Sequence, residues 1–431
     1  MPGFELFGPE ERKEVNDVLE TGIMMRYGFD GPRKGVWKAK ELEAAISEKI
    51  GCKYTQLVSS GTAALTTALA SLGIGAGDEV IMPTFTFVAS FEVILSVGAV
   101  PVLVDVDETL TLDPQAVRRA ITPRTKCIMP VHMCGAMSDI DALMAICKEH
   151  NLILLEDACQ SFGGKYKGRY LGTIGHAGAF SFDFVKTITL AEGGAVVTNS
   201  EDIYTRCDGY SDHGHDHKGV DRGADLHPFI GYNFRISELH AAVGLAQIRK
   251  LDKFLAIQQK NHSQLKAILS AAPEVSFRTI PDPSGDTHTF LSWFLPTEEM
   301  ARGVVAELKQ QGVLAGNFYW FDNNWHYFRK WDHLRQVATL NNLNDAQRKA
   351  TGLARPRRLS RQRQGDEQVY LDGDKSVVDR RADKGKSGED RGSHKEGGLG
   401  AEVDGVGDGT HPARATRGVV AGPYFPSSRF T

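Results

Sequence analysis

Tyr54-Thr-Gln-Leu-Val-Ser-Ser-Gly-Thr-Ala-Ala-Leu-Thr-Thr-Ala-Leu-Ala-Ser-Leu72 is the stretch on which the fold turns. Its first five residues are a short apolar run suited to a buried strand. From Thr62 to Leu72 apolar residues recur at helical spacing. Ser-Ser-Gly-Thr between the two is a helix-start signal. A strand that runs straight into a helix is half of a crossover unit. The same alternation continues outward. Strand-like runs recur at residues 79–83, 100–106, 127–132, 152–157, 178–182 and 194–198. Helical patterns lie at Thr62–Leu72, Phe87–Val97, Asp139–Glu149 and Ser237–Leu251. The pattern predicts an α/β fold whose sheet is mostly parallel, with seven strands in a large domain.

The chain divides by texture. Residues 1–250 comprise an N-terminal arm, with a helix from Pro9 to about Leu19, and the large domain. Residues 251–350 read as part of a smaller α/β domain, which includes the helical pattern from Glu298 and the aromatic stretch that follows it. Residues 351–431 are rich in Gly, Arg, Asp and Lys and lack periodicity, so their composition predicts disorder. A frameshift near residues 350–360 also accounts for this tail. Read one base later with free codon choice, residues 365–396 are compatible with a segment ending in an amphipathic helix. Re-sequencing independent clones tests this, and an uninterrupted frame would sink it.

Composition narrows the classes of function. Of 431 residues, 41% are hydrophobic and 24% charged, which suits a globular chain rather than a disordered one. The net charge of -4 offers no basic face for nucleic acid. Cys52, Cys127, Cys134, Cys147, Cys159 and Cys207 form no CxxC pair and read as buried thiols of a reducing cytoplasm. No apolar run approaches the ~20 residues of a membrane span, and the first residues do not resemble a signal peptide.

Four motifs carry chemistry. Ala179-Phe-Ser181-Phe-Asp-Phe-Val-Lys186 places a lysine after a strand end and ahead of the Gly193-Gly194 pair. A lysine amine there can bond an aldehyde cofactor, whereas the plainer reading is a surface loop lysine. Leu155-Glu-Asp157-Ala-Cys-Gln160 ends a strand with a carboxylate that suits a pyridine nitrogen. Alone, Asp157 reads more simply as a helix cap. Ser59-Ser-Gly61-Thr62 opens a helix, where free amides suit a phosphate. Pro83-Thr-Phe-Thr-Phe87 offers a ring for stacking, or simply a core residue. Glycines 73, 75 and 77 have the wrong spacing for a dinucleotide loop and read as a turn.

Together the four motifs resemble the DegT/DnrJ/EryC1/StrS family of sugar aminotransferases, over about residues 10–335. Further matches are Gly77-Asp-Glu-Val-Ile81, Pro130-Val-His132 and Gly231-Tyr-Asn233. The resemblance implies a pyridoxal 5'-phosphate (PLP) enzyme of fold type I that moves an amino group from glutamate to a keto-sugar and releases 2-oxoglutarate. It implies that Lys186 bonds the cofactor as a Schiff base and shuttles the proton. Asp157 would pair with the ring nitrogen and Gln160 with the phenolic oxygen. Gly61, Thr62 and Ser181 would hold the phosphate, and Phe87 would stack on the ring. Asn233 would reach the phosphate of a neighbouring subunit, which implies a homodimer. A lysine at 186 argues against the branch that carries histidine there and dehydrates sugars.

Two stretches, 210–223 and 316–326, are similar to those of the family's 8-amino-3,8-dideoxy-manno-octulosonate transaminases. That likeness implies a sugar-acid substrate for lipopolysaccharide, with His213, His215 and Arg222 near its carboxylate. The histidines at 213, 215 and 217 would share one face of an extended strand. No catalytic-metal pattern accompanies them, and no metal is expected.

Overall fold

A computed structural model describes residues 3–219, 221–313 and 324–332, together with the backbone of residues 418–420. The strands of the main sheet are β1 (Tyr54–Val58), β2 (Glu79–Pro83), β3 (Val100–Val104), β4 (Thr125–Ile128) and β5 (Ile153–Asp157), then β8 (Ala177–Ser181) and β9 (Gly194–Thr198) after a small hairpin of β6 (Lys165–Tyr166) and β7 (Arg169–Tyr170). Their order is β1-β9-β8-β5-β4-β2-β3. All neighbours from β8 to β3 pair in parallel, and β9 runs antiparallel to both β1 and β8. The sheet is therefore seven-stranded and mostly parallel, as the sequence predicts.

Side chains alternate across this sheet because a strand's pleat has a period of two. Val58, Ala179 and Val196 point into one apolar cluster with Ala64, Leu65 and Ala68. Leu57, Phe180, Ala195 and Val197 point into another with Leu42, Ile46, Ala241 and Leu245. Both faces are covered, which is why the strands read as unbroken apolar runs.

The helices are α1 (Pro9–Thr21), α2 (Asp30–Arg33), α3 (Lys38–Ile50), α4 (Gly61–Ser71), α5 (Ala89–Ser96), α6 (Pro114–Ala120), α7 (Ile140–His150), α8 (Glu201–Tyr210), α9 (Glu238–Ile248), α10 (Leu251–Leu269) and α11 (Glu298–Gln310). Local chemistry sets their starts. Ser60, Asp139, Ser200, Ser237 and Thr297 each accept a first-turn amide with a side-chain oxygen. The strand runs match the observed strands to within a few residues. The helices α2, α3, α6, α8 and α10 are additions to the sequence reading. The pattern read as one helix from Ser237 to Leu251 is interrupted at Arg249 and Lys250. There α9 stops, and α10 begins at Leu251 with Leu251, Phe254 and Gln258 as its buried stripe.

A second sheet, β10 (Ser276–Phe277), β11 (Trp293–Leu295) and β12 (Gly418–Val420), is antiparallel. Trp293 and Leu295 pack against Ala301 and Val305 of α11. The strand β12 falls within residues 351–431, whose composition predicts disorder, and there Trp293 pairs with Val420 and Leu295 with Gly418. Gly-Val-Val is too short to show periodicity, yet β-branched residues beside an open edge suffice for pairing. The rest of that segment, including the proposed frameshifted helix, lies outside the described residues.

Candidate active site

In a parallel sheet, ligands gather beyond the carboxyl ends of the strands. Four strand ends meet here. The loop after β1 carries Ser59–Gly61, the loop after β2 carries Thr84–Phe87, β5 ends at Asp157, and β8 ends at Ser181 and leads to Lys186.

The β1–α4 junction is a cradle. Ser60 caps α4 by accepting the Ala63 amide at 3.0 Å. The preceding amides, of Gly61 and Thr62, have no intrahelical acceptor by geometry. Space around them is tight. A Cβ on Gly61 would sit 2.6 Å from the Ser181 Cβ, and one on Gly194 would sit 2.2 Å from the Ser60 carbonyl oxygen. Two glycines thus bring the helix start, the Ser181 hydroxyl and the β9 start together. Two helix-start amides, a hydroxyl and a positive dipole end suit a phosphate group.

Asp157 is 3% exposed. Its Oδ2 accepts from the Ser90 hydroxyl at 2.7 Å and its Oδ1 from the Cys159 amide at 3.1 Å. The Thr86 hydroxyl lies 2.7 Å from that of Ser90, so it can donate down the line towards Asp157. No helix follows Asp157, which removes the cap reading. A buried carboxylate with no basic partner among the described residues suits a cationic ring nitrogen.

Lys186 is partly buried and its amine has no ion-pair partner among the described residues. Its backbone is fixed at both ends: the Lys186 amide donates to the Asp183 carbonyl, and the Gly3 amide donates to the Lys186 carbonyl. Its charge is felt by its neighbours. Burial pushes the His326 imidazole down to about 4, and the nearby Lys186 ammonium adds to the effect. Burial raises the Cys134 thiol to about 12, against the pull of Arg278 and Lys186. Gln160 accepts the Cys134 amide at 2.9 Å, which sets its side chain on the same wall.

Phe87 is 38% exposed and not a core residue. Its ring lies 5.5 Å from that of His326 and 6.0 Å from that of Trp325. The segment Trp325–Tyr327 is laced to the β2 loop through Thr86 N–His326 O and Val88 N–Trp325 O bonds. His326 lies in the aromatic stretch 316–326, whose pattern alone does not mark it as a site residue. Ser90, Thr86 and His132 were missed too. His132 and Glu156 lie behind Asp157. Ser138 N–H donates to His132 Nδ1, so Nε2 carries the proton and donates to Glu156 at 2.9 Å. Burial alone would raise the Glu156 pKa. The His132 hydrogen bond and the amides of Gly175 and Gly172 outweigh it and hold the pKa low. A Glu-Asp pair on alternating faces thus splits its roles: Glu156 anchors backbone, and Asp157 faces the crevice.

The remaining sequence candidates lie elsewhere. Asn233 is exposed, and its backbone bridges to Asp212. Asp212 is fully buried and accepts from Arg222, Arg235 and His217. His215 accepts from Arg222 at 3.1 Å through Nε2 and faces Asp225 through Nδ1. His213 is exposed, and its carbonyl accepts from His227. His213 and His217 both have positive φ, at 55° and 50°, so the shared strand face imagined for the three histidines does not form. Residues 316–323 of the aromatic stretch lie outside the described residues.

A helix-start cradle, a buried carboxylate and a lysine, the last two without a charged partner among the described residues, lie at neighbouring strand ends, an arrangement that fits a PLP enzyme of the fold type I class. The chain belongs to the DegT/DnrJ/EryC1/StrS aminotransferase family, whose model matches residues 7–360. It is similar to the crystal structure of 3-amino-5-hydroxybenzoic acid synthase, at 34% identity, over 72% of this chain and 80% of that one, with a TM-score of 0.66. It is similar to the aminotransferase from Psychrobacter cryohalolentis, at 28% identity, over 80% and 90% of the two chains, with a TM-score of 0.67. A GDP-4-keto-6-deoxymannose-3-dehydratase matches at 25% identity, over 71% and 82%, with a TM-score of 0.65. The cofactor is pyridoxal 5'-phosphate. No helix among the described residues is long and apolar enough to cross a membrane.

Proposed function

We propose that this chain moves the amino group of glutamate to a keto-sugar, with Lys186 as the catalytic base and acid. The observation that carries this is the Lys186 amine, without an ion-pair partner among the described residues, on the same rim as the α4 cradle and Asp157. PLP, when bound, supplies an aldehyde carbon and an electron-accepting ring. Gly61, Thr62 and Ser181 would hold its phosphate by amide and hydroxyl donation. Asp157 would keep the ring nitrogen protonated, Gln160 would face the phenolic oxygen, and Phe87 would cover one ring face. Lys186 would carry a proton between the donor and acceptor carbons, a task its free amine suits. Residues 1–250 would form the cofactor-binding domain and residues 251–350 part of the small one. A homodimer would bring Asn233, exposed in this chain, to the neighbouring phosphate.

The acceptor we propose is 3,8-dideoxy-8-oxo-manno-octulosonate, in cytoplasmic synthesis of a lipopolysaccharide sugar. Support comes from the sequence likeness of residues 210–223 and 316–326 to the octulosonate transaminases. Arg222 and His215 are held by Asp212 and Asp225, so a sugar carboxylate would join or displace that network.

The test is spectroscopic and then chromatographic. The absorbance of the PLP-loaded chain should change with glutamate and revert with the octulosonate, which then appears as its 8-amino product. A spectrum indifferent to glutamate, with a deoxygenated sugar as product, would establish the dehydratase reading. Reversion by nucleotide-linked keto-sugars alone would overturn the octulosonate.

A further inference from the structure

Behind the turn at residues 133–136 lies a cavity of about 60 Å³ that the transamination reading does not use. Cys134 forms one wall. His262, Lys266, Arg278, Asp286 and His288 supply its charged and imidazole lining. Gly135 makes the close approach that builds it. With φ at 82°, a Cβ there would lie 2.1 Å from the Thr287 hydroxyl oxygen, and that hydroxyl donates to the Gly135 carbonyl at 3.1 Å. The Asp286–Thr289 turn is thereby held against the end of the large sheet.

Arg278 is the unusual member. It is 7% exposed. Its Nε donates to the Thr109 carbonyl, and its Nη1 donates to the Met133 carbonyl at 2.7 Å. Its Nη2 is buried with no hydrogen-bond partner. No carboxylate stands within ion-pair distance of it among the described residues. Asp286 and Asp107 act on it through the field alone, without a hydrogen bond among the described residues. A buried guanidinium with a spare nitrogen and no bonded counter-ion is costly, and such a cost is offset by an anion.

The other lining groups leave the field positive. Lys266 adds a second cation. His262 is held neutral, pushed down to about 4 by burial, with His288 and Lys266 adding to it. Asp286 is the acid among these groups; burial raises its pKa, and its Oδ1 already accepts the His288 amide at 3.1 Å.

We propose that this cavity binds a small oxyanion, a carboxylate or a phosphate, between the Arg278 guanidinium and the Lys266 ammonium. Planar guanidinium donors match either oxyanion. The site is distinct from the phosphate cradle at α4, and its existence does not depend on the transamination reading. It adjoins the candidate active site through Cys134, whose amide donates to Gln160 and whose thiol feels both Arg278 and Lys186.

The test is thermal unfolding of the full chain with saturating PLP, titrated with sodium phosphate or sodium acetate. Sodium chloride at equal ionic strength is the reference. At least one oxyanion should raise the midpoint saturably, as a ligand of the native state does. Acetate alone would identify a carboxylate site, and phosphate alone a phosphate site. Lys266→Gln should weaken the apparent affinity roughly tenfold by removing one charge-assisted contact, and Arg278→Met should abolish saturation. No saturable rise with either anion would overturn the proposal. So would equal affinity in Lys266→Gln, because binding at the α4 cradle would not respond to that change. If Arg278→Met fails to fold, Lys266→Gln decides, since Lys266 is an exposed residue.

Discussion

Two charged regions of this protein are built on opposite principles. At the rim of the main sheet, Lys186 and Asp157 have no charged partner among the described residues. In the segment Asp208–Arg235, every central charge is paired. Asp212 takes bonds from His217, Arg222 and Arg235, while His217 also bonds Asp208 at 2.7 Å, which in turn accepts from the Tyr27 hydroxyl at 2.8 Å. Burial would raise the Asp212 pKa, but the bonds from His217, Arg222 and Arg235 hold it far below the usual carboxylate range. The contrast separates charges kept for a ligand from charges that hold the fold. Removing the first kind should cost activity with little stability, and removing Asp212, the hub of the second kind, should cost stability.

The largest effect should come from Lys186→Ala. Amino transfer should fall about 10³-fold or more, the scale of a lost proton-transfer group. The thermal midpoint should move by no more than about 2 °C, because no ion pair among the described residues is broken. A large loss of stability would erase the contrast. Asp212→Ala should instead destabilise the chain by about 3 kcal/mol in urea, leaving two guanidinium groups and an imidazolium facing one another. A loss below about 1 kcal/mol would show that solvent satisfies those groups.

A pH titration sharpens the same point. Burial lowers the His217 pKa, but Asp208 and Asp212 overcome this and raise it to about 9. Its folded value lies above the ordinary imidazole value of about 6.5, so its contribution is complete below about pH 6.5 and fades as pH rises through about 9. Wild type should lose on the order of 1 kcal/mol more than His217→Gln between pH 6.5 and 9.5, once solvent screening is allowed for. Parallel curves for the two proteins would refute the linkage. The smallest effect is set for Ser90→Ala. Loss of one hydrogen bond to Asp157 should slow turnover by roughly fivefold, about 1 kcal/mol. Ser90→Thr should restore the rate, and an unchanged rate in Ser90→Ala would mean that Asp157 is positioned by its backbone alone.

How much of this could be read along the chain differs by region. The strand β2 (Glu79–Pro83) was legible to the residue, because a strand buried on both faces leaves an unbroken apolar run. The helix α10 was not, since only Leu251, Phe254 and Gln258 are fully buried along its nineteen residues. Lys186, Asp157 and Gly61 were legible as residue types at strand ends and helix starts. Ser90 and Thr86 were not, because hydroxyls in a helical pattern carry no mark of the carboxylate they face. His132 was quoted as part of a motif, yet its bond to Glu156 depends on the pairing of β4 with β5.

The sequence by itself determined the alternation of strand and helix, the caps, and the residue types at the rim. Each of these follows from local periodicity and backbone chemistry. Only the tertiary structure decided which charges are paired. It closed Arg222 and His215 into a network with Asp212 and Asp225, left Lys186 and Asp157 without a charged partner among the described residues, and buried Arg278 with no carboxylate within ion-pair distance among them. Pairing is a matter of distances between segments far apart in the chain, and those distances exist only once the sheet has assembled.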